Sequence, residues 1–291
     1  MTDVADTEKN EPKTMHGPPV TVIVTTKNNH ATLDACLSSI VEQSYTNIET
    51  IVVDNSSDDD TKEIALKYTS NVFDKGPERS AQRNYALSLA KGKYVMIIDS
   101  DMVLSSEVVS QCVTNMESDK AHKAIIIPEE SFGQGFWAQC KKLERSFYVG
   151  QDAIEAARFF DAASYRKLGG YNEDLTGGED WDLTKRFRGL GLISRCEAYI
   201  YHDEGHPKFT RTVKKMYYYG RHASQYFEVN PTQSAMTDQS GPLQRYKLFL
   251  SKPGTLFKNP AVGAGVLTLK TAEYAAGGVG MLTGKLRRNA T

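Results

Sequence analysis

From residue 20 to residue 99 the chain alternates two kinds of apolar pattern. Val20–Thr26 (VTVIVTT), residues 48–53 (IETIVV) and residues 94–98 (YVMII) are short, nearly continuous runs rich in β-branched residues, as expected of strands covered on both faces. Between the first two, Leu33, Cys36, Leu37 and Ile40 recur at i, i+3, i+4 and i+7, the stripe of an amphipathic helix. Residues 61–68 and 80–90 have the pattern of two more helices, and 71–74 that of a short strand. Strand and helix in strict alternation predict a doubly wound, mostly parallel α/β sheet flanked by helices, with right-handed crossovers.

The alternation continues with a helix over 107–116 and a strand over 124–128, and breaks at Gly133 to Gly135. Beyond the break the pattern predicts a helix over 136–148, a strand over 157–162 and a short helix over 163–168, closed by Gly169 and Gly170. In TGGEDWDL (176–183) two glycines permit a backbone that side chains would forbid. The acids then open a helix whose Leu183, Phe187 and Leu190 face inward, a position that the helix dipole favours for acids with or without further purpose. A strand over 197–201 runs into His202, Asp203 and Glu204.

Charge divides the chain. From Gly205 onward 13 Lys or Arg stand against three acids, leaving 22 basic and 33 acidic residues before it, so the two parts carry −11 and +10. A basic tail on an acidic body predicts an anionic partner; an anionic membrane surface is expected, and nucleic acid is not. Residues 259–286 are rich in Ala, Gly, Val and Leu, but Lys270 and Glu273 interrupt them and the run 262–269 is too short to span a bilayer. With basic residues at 245–252 and 285–288, this segment predicts interfacial docking, packing on the body or an oligomer partner being the alternative. Residues 1–18 lack the apolar core of a signal peptide and are expected to be disordered. The four cysteines show no metal-ligand spacing, which argues against zinc and for a reduced, cytoplasmic setting at the cytosolic membrane face. Three regions follow: a disordered segment (1–18), an α/β body (19–228) and a helical extension (229–291).

The strand 94–98 ends in Asp99, Ser100 and Asp101. Ligands of open α/β sheets sit at such carboxyl ends, and two acids one residue apart favour a divalent cation bridging to phosphate. Acids that merely precede a helix give the same triplet. Neither GxGxxG nor GxxxxGK[ST] is present, so phosphates must be held by other means.

Together, VTVIVTTKNN, IETIVVDNSS, RSAQRNYALSLAKGKYVMIIDSD, GGYNEDLTGGEDWDL and YHDEG, in this order and spacing over roughly residues 19–228, resemble the family 2 glycosyltransferases, inverting enzymes of the GT-A fold that use a nucleotide-diphosphate sugar. The resemblance implies that Thr25, Thr26 and Lys27 lie along a UDP- or GDP-linked donor, that Asp54 accepts a base N–H, and that Arg83 holds Asp99 and the diphosphate rim. It implies that Asp99 meets the ribose or the metal, and that Asp101 and His202 ligate Mn or Mg; an imidazole suits manganese better. Asp180 corresponds to the family's base, which an inverting transfer to a hydroxyl needs. Glu179 would orient the acceptor and Trp181 would offer it a stacking face, a core Trp being the other reading. Lys214, Lys215 and Arg221 are candidates for the diphosphate or for lipid.

The GlnxxArgTrp motif of the family's processive members is absent, so the resemblance implies addition of one sugar to a glycan or lipid-linked glycan. A polyprenyl-phosphate sugar synthase, whose anionic acceptor needs no base, is the second reading. A catalytically silent nucleotide-sugar binding protein is the third.

Overall fold

A computed structural model describes residues 17–229 and 241–288. The expected disordered segment falls almost wholly on residues outside that range, as does the expected boundary after 228 on its C-terminal side.

The first seven elements stand where the apolar pattern puts them: β1 (Val20–Thr26), α1 (His30–Val41), β2 (Ile48–Asp54), α2 (Thr61–Leu66), β3 (Val72–Asp74), α3 (Arg79–Leu89) and β4 (Tyr94–Asp99). Then come β5 (Met102–Leu104), α4 (Val108–Ser118), β6 (His122–Ile126), β7 (Glu129–Phe132), α5 (Phe136–Ser146), β8 (Ala157–Asp161) and α6 (Ala162–Lys167). The chain continues through α7 (Glu179–Arg188), β9 (Leu192–Arg195), β10 (Ile200–Asp203) and α8 (Phe209–Val229). It ends in α9 (Pro242–Leu250), α10 (Pro253–Leu256) and α11 (Pro260–Arg288).

Seven strands form one sheet in the order β3-β2-β1-β4-β8-β6-β9. β1 lies parallel to β2 and β4, and β2 to β3, whereas β8 is antiparallel to both β4 and β6. Side chains alternate across β1: Val22 and Val24 pack with Leu33, Leu37 and Ile98 on one face, Ile23 with Ile97, Phe160 and Phe187 on the other. Burial on both faces explains the unbroken apolar runs.

A second sheet has the order β5-β10-β7. It corrects the expected strand over 197–201, because the chain changes sheets there. Cys196 N–H still donates to Ile126 of β6, at 3.1 Å, while Ile200 N–H donates to Pro128, at 3.0 Å, on the approach to β7. Antiparallel pairing of β10 with β5 sets His202 opposite Met102 and therefore beside Asp101.

The C-terminal helices pack on the body. Val262, Val266 and Leu269 of α11 are buried, the first two in a cluster with Cys140 and Phe147 of the α5 region and Phe249 of α9. Farther along, α11 meets α8 backbone to backbone: a Cβ at Gly220 would lie 2.2 Å from the Gly277 carbonyl oxygen, one at Gly280 2.3 Å from that of Tyr217, and one at Gly284 2.4 Å from that of Arg221. Only glycine allows that approach. Among the described residues no helix is long and apolar enough to cross a membrane.

Candidate active site

The loops at the carboxyl ends of β1, β2 and β4 and the start of α7 bring acids together around one arginine. Arg83, on α3, is fully buried. Its NH2 donates to Asp99 Oδ1 at 2.7 Å and its NH1 to Asp180 Oδ1 at 2.9 Å, with Glu179 3.6 Å from NH1. Burial opposes the guanidinium charge, but Asp180, Tyr171, Asp99 and Glu179 outweigh it and hold the Arg83 pKa well above its ordinary value. The neighbouring Asn84 serves the same site from its other face: its amide oxygen accepts from Tyr171 N–H at 2.7 Å and its amide nitrogen donates to the Tyr171 carbonyl at 2.9 Å. Tyr171 so fixed donates its hydroxyl to Asp180 Oδ1 at 2.9 Å. Asp180 Oδ1 thus takes two hydrogen bonds, and Oδ2 has no donor among the described residues.

Of the glycine pair, the second performs the predicted task. Gly178, at φ +81, is the residue from which α7 starts, and a Cβ there would meet the Tyr226 ring at 2.6 Å. Glu179 is nearly buried and accepts from Arg79 NH2 at 2.8 Å. Burial, and then the charge of Asp180, push its carboxyl above the ordinary range. Trp181 donates its indole N–H to the Ile154 carbonyl at 2.7 Å and meets Tyr226 edge-on.

Asp101 and His202 form a pair, His202 Nε2 lying 3.3 Å from Asp101 Oδ2. Burial opposes the imidazolium, yet hydrogen bonds to Asp101 and Glu129 overcome it and raise the His202 pKa to about 9. His202 Nδ1 lies 3.3 Å from Arg145 NH2 and 3.8 Å from Glu129. Glu129 also pairs with Arg145 and accepts from Arg158 Nε at 2.6 Å, and Arg158 NH1 is 3.6 Å from Asp99 Oδ2. An unbroken series of ionic contacts therefore runs from Asp101 through His202, Glu129, Arg158, Asp99 and Arg83 to Asp180. Asp99 faces arginines, and of the expected metal residues Asp101 and His202 are the two that lie side by side. Among the described residues no three His, Cys, Asp or Glu side chains converge on one point. One carboxylate and one imidazole still suit Mn or Mg, which take their remaining ligands from phosphate and water.

Of the other expected donor residues, Thr25 donates to Asp99 Oδ1 at 3.4 Å, and the buried Thr26 Oγ1 has no hydrogen-bond partner among the described residues. Asp54 is buried, and its two oxygens accept from the Ser57 N–H at 2.6 Å and hydroxyl at 2.5 Å. Lys27 is exposed. A cavity of about 1100 Å³ opens beside the acid pair, lined by Glu179, Asp180, Trp181, Lys215 and Tyr219 and by one face of α11. Asp101 and His202 do not line it; Glu129, Arg145 and Arg158 separate them from it. Lys214 and Arg221 are not among its lining residues either. Residue patterns did not single out Arg79, Glu129, Arg145, Arg158 or Tyr171. Arg79 alone carried a signal, standing four residues before Arg83 on the same helix face.

A sequence model of the family described as "Glycosyl transferase family 2" matches residues 21–167, half of the chain. The chain belongs to glycosyl transferase family 2. Among its relatives in that family is the UDP-Glc:alpha-D-GlcNAc-diphosphoundecaprenol beta-1,3-glucosyltransferase WfaP of Escherichia coli, 35% identical over 108 residues, which cover 35% of this chain and 42% of that protein. A GalNAc(5)-diNAcBac-PP-undecaprenol beta-1,3-glucosyltransferase of Campylobacter jejuni is 31% identical over 155 residues, 49% of either chain. The matched part thus spans less than half the length of these two relatives. The solved structure of the mannosyltransferase PcManGT from Pyrobaculum calidifontis, in complex with GDP-Man and Mn2+, superimposes with a TM-score of 0.62 at 18% identity, covering 92% of this chain and 88% of that one. That of S. aureus TarS 1-349 in complex with UDP-GlcNAc gives a TM-score of 0.54 at 19% identity, covering 94% and 92%. The family 2 chain therefore has the GT-A fold expected of it.

Proposed function

We propose that this family 2 protein is an inverting, metal-dependent glycosyltransferase that adds one sugar from a UDP- or GDP-linked donor to a hydroxyl of a lipid-linked glycan. The observation that carries the reading is the setting of Asp180: Oδ1 is pinned by Arg83 and Tyr171, Oδ2 has no donor, and the residue lines a cavity large enough for an acceptor. Names of relatives that act on diphosphoundecaprenol-linked saccharides support the acceptor class.

In the proposed transfer the donor lies across the ends of β1, β2 and β4, with Thr25, Thr26, Lys27 and Asp54 along the nucleotide. The acceptor hydroxyl gives its proton to Asp180 Oδ2 as its oxygen bonds the anomeric carbon. The bond from that carbon to the diphosphate oxygen breaks on the opposite side, and its electron pair leaves with the nucleotide diphosphate. One displacement inverts the anomeric centre. Asp101 and His202 would hold the Mn or Mg, whose chemistry when bound is Lewis-acid neutralisation of charge on the diphosphate. Glu179, held by Arg79, orients the acceptor, and Trp181 presents a ring face to it.

In this reading the protein works peripherally at the cytosolic membrane face. Val279, Leu282 and Leu286 of α11 expose more than half of their surface, an apolar stripe among basic residues that suits an anionic lipid surface.

The test is a screen of UDP- and GDP-sugars for a rise in melting temperature with and without Mn2+, followed by transfer of the donor found to a diphosphoprenyl saccharide. The reading expects a product whose new linkage has the opposite anomeric configuration to the donor. Retention of configuration, or no nucleotide sugar bound, would refute it.

A further inference from the structure

The charges that line the cavity beside Asp180 are unevenly paired. Most cations that line it face a carboxylate: Arg79 pairs with Glu179, Arg145 and Arg158 with Glu129, Lys141 with Glu273, and Lys270 with Glu144 and Glu273. Lys215 and Lys285 line the same cavity and have no carboxylate within 4.0 Å among the described residues; the contact recorded for Lys215 is the Tyr219 ring, 5.9 Å from its Nζ. Two cations without a carboxylate partner on one cavity make a surface that attracts an anion.

Their positions are fixed by the helices that carry them. Lys215 is on α8 and Lys285 on α11, the two helices locked by the contacts of Gly220 with Gly277 and of Gly284 with Arg221. On α11, Lys270, Tyr274, Gly277, Met281 and Lys285 line the cavity, a single face of about 22 Å at the helical rise. Farther round the same helix, at about 100° per residue, stands the exposed stripe of Leu282, Leu286 and Val279, with Leu282 nearest to Lys285. One helix thus offers a cation to the cavity and an apolar edge to its surroundings. A phosphorylated lipid needs both.

We infer that Lys215 and Lys285 bind the diphosphate of a lipid-linked acceptor, with the lipid chain leaving along the Val279–Leu282–Leu286 edge of α11 and the saccharide reaching inward to Asp180. This rests on the lipid-linked acceptor proposed above and adds where its anionic group is held. The donor's diphosphate is assigned elsewhere, at Asp101 and His202, which do not line this cavity.

The experiment measures binding of farnesyl diphosphate, inorganic pyrophosphate, farnesol and UDP to the full chain by titration calorimetry. Farnesyl diphosphate is expected to bind at least ~10-fold more tightly than pyrophosphate or farnesol, because both of its parts contribute. Lys215→Gln and Lys285→Gln should each weaken it ~10-fold, the loss of one charge-assisted contact, and leave UDP affinity unchanged. Both side chains are exposed, and an unaltered UDP titration also reports that the variant is folded. Unchanged farnesyl diphosphate affinity in the double variant would overturn the assignment, and so would a parallel loss of UDP binding, which would give the lysines to the donor. Pyrophosphate binding as tightly as farnesyl diphosphate would overturn the lipid part. Failure of these titrations with nucleotide-sugar binding intact removes this inference alone; failure of nucleotide-sugar binding removes the proposed function itself.

Discussion

Replacing Arg83 with Lys probes how the acid rim is held to the candidate base. Arg83 is fully buried and spans two carboxylates, with NH2 2.7 Å from Asp99 and NH1 2.9 Å from Asp180, and its guanidinium carbon lies 4.8 Å from the Tyr171 ring centroid. A lysine keeps the charge but has a single compact head, which can satisfy one of the two acids but not both. One charge-assisted hydrogen bond is lost, about 1.5–3 kcal/mol of stability. Arg83→Met removes the bridging cation from Asp99, Asp180 and Glu179 together, and breaking such a buried ionic arrangement costs about 3–5 kcal/mol. Freed from NH1, Asp180 keeps only Tyr171 to aim it, and a catalytic group misplaced by ~1 Å loses ~100-fold in rate. Urea unfolding and steady-state transfer with varied donor form the assay. Arg83→Lys should lower the stability by about 1.5–3 kcal/mol and kcat by ~10- to 100-fold, with the donor KM changed little. A variant with the parental unfolding midpoint and kcat, or one whose whole defect lies in donor KM, would refute the bridging role.

The remaining predictions address the C-terminal helices. Leu282→Ser with Leu286→Ser should reduce co-sedimentation with phosphatidylserine vesicles several-fold at ~0.1 M salt without altering UDP binding, and equal sedimentation of parent and variant would remove the membrane role from α11. Lys141 and Lys270 surround the buried Glu144. Burial opposes ionisation of that carboxyl, but the two ammonium groups overcome it and hold it far below the usual range. Its stabilisation is therefore complete above the unfolded value of about 4.3 and shrinks as pH falls toward the lower folded value. Glu144→Gln should be less stable than the parent by ~3 kcal/mol near pH 7, where it leaves two lysines to share Glu273 alone, and the gap should narrow between pH 5 and 3. A gap that stays constant across that range would show that Glu144 titrates normally.

The apolar pattern disclosed the parallel half of the sheet because β1, β2 and β4 are buried on both faces and leave no polar gaps. It missed β5 and β7, three and four residues long, which are too short for a period to emerge. It missed β9 and began β10 three residues early, at 197, because a change of sheet between Cys196 and Ile200 leaves no mark on hydropathy. The acids and His202 were legible as motifs. Their partners were not: Tyr171, Arg158 and Glu129 reach the site from separate elements, and only tertiary packing brings them there. The apolar run of α11 between basic stretches suits interfacial docking and packing on the body alike. The structure shows packing, and several of its glycines let two backbones touch.

The central claim is that Asp180 takes the acceptor's proton. Asp180→Asn keeps the size of the side chain, and its amide oxygen can still accept from Arg83 and Tyr171, but it cannot act as a base. Transfer and nucleotide-sugar affinity measured side by side on this variant test the claim most directly. The account predicts a kcat lower by ~100- to 10,000-fold, the range of general-base catalysis, with donor affinity within ~2-fold of the parent. Transfer at the parental rate, or donor affinity lost in step with activity, would contradict it.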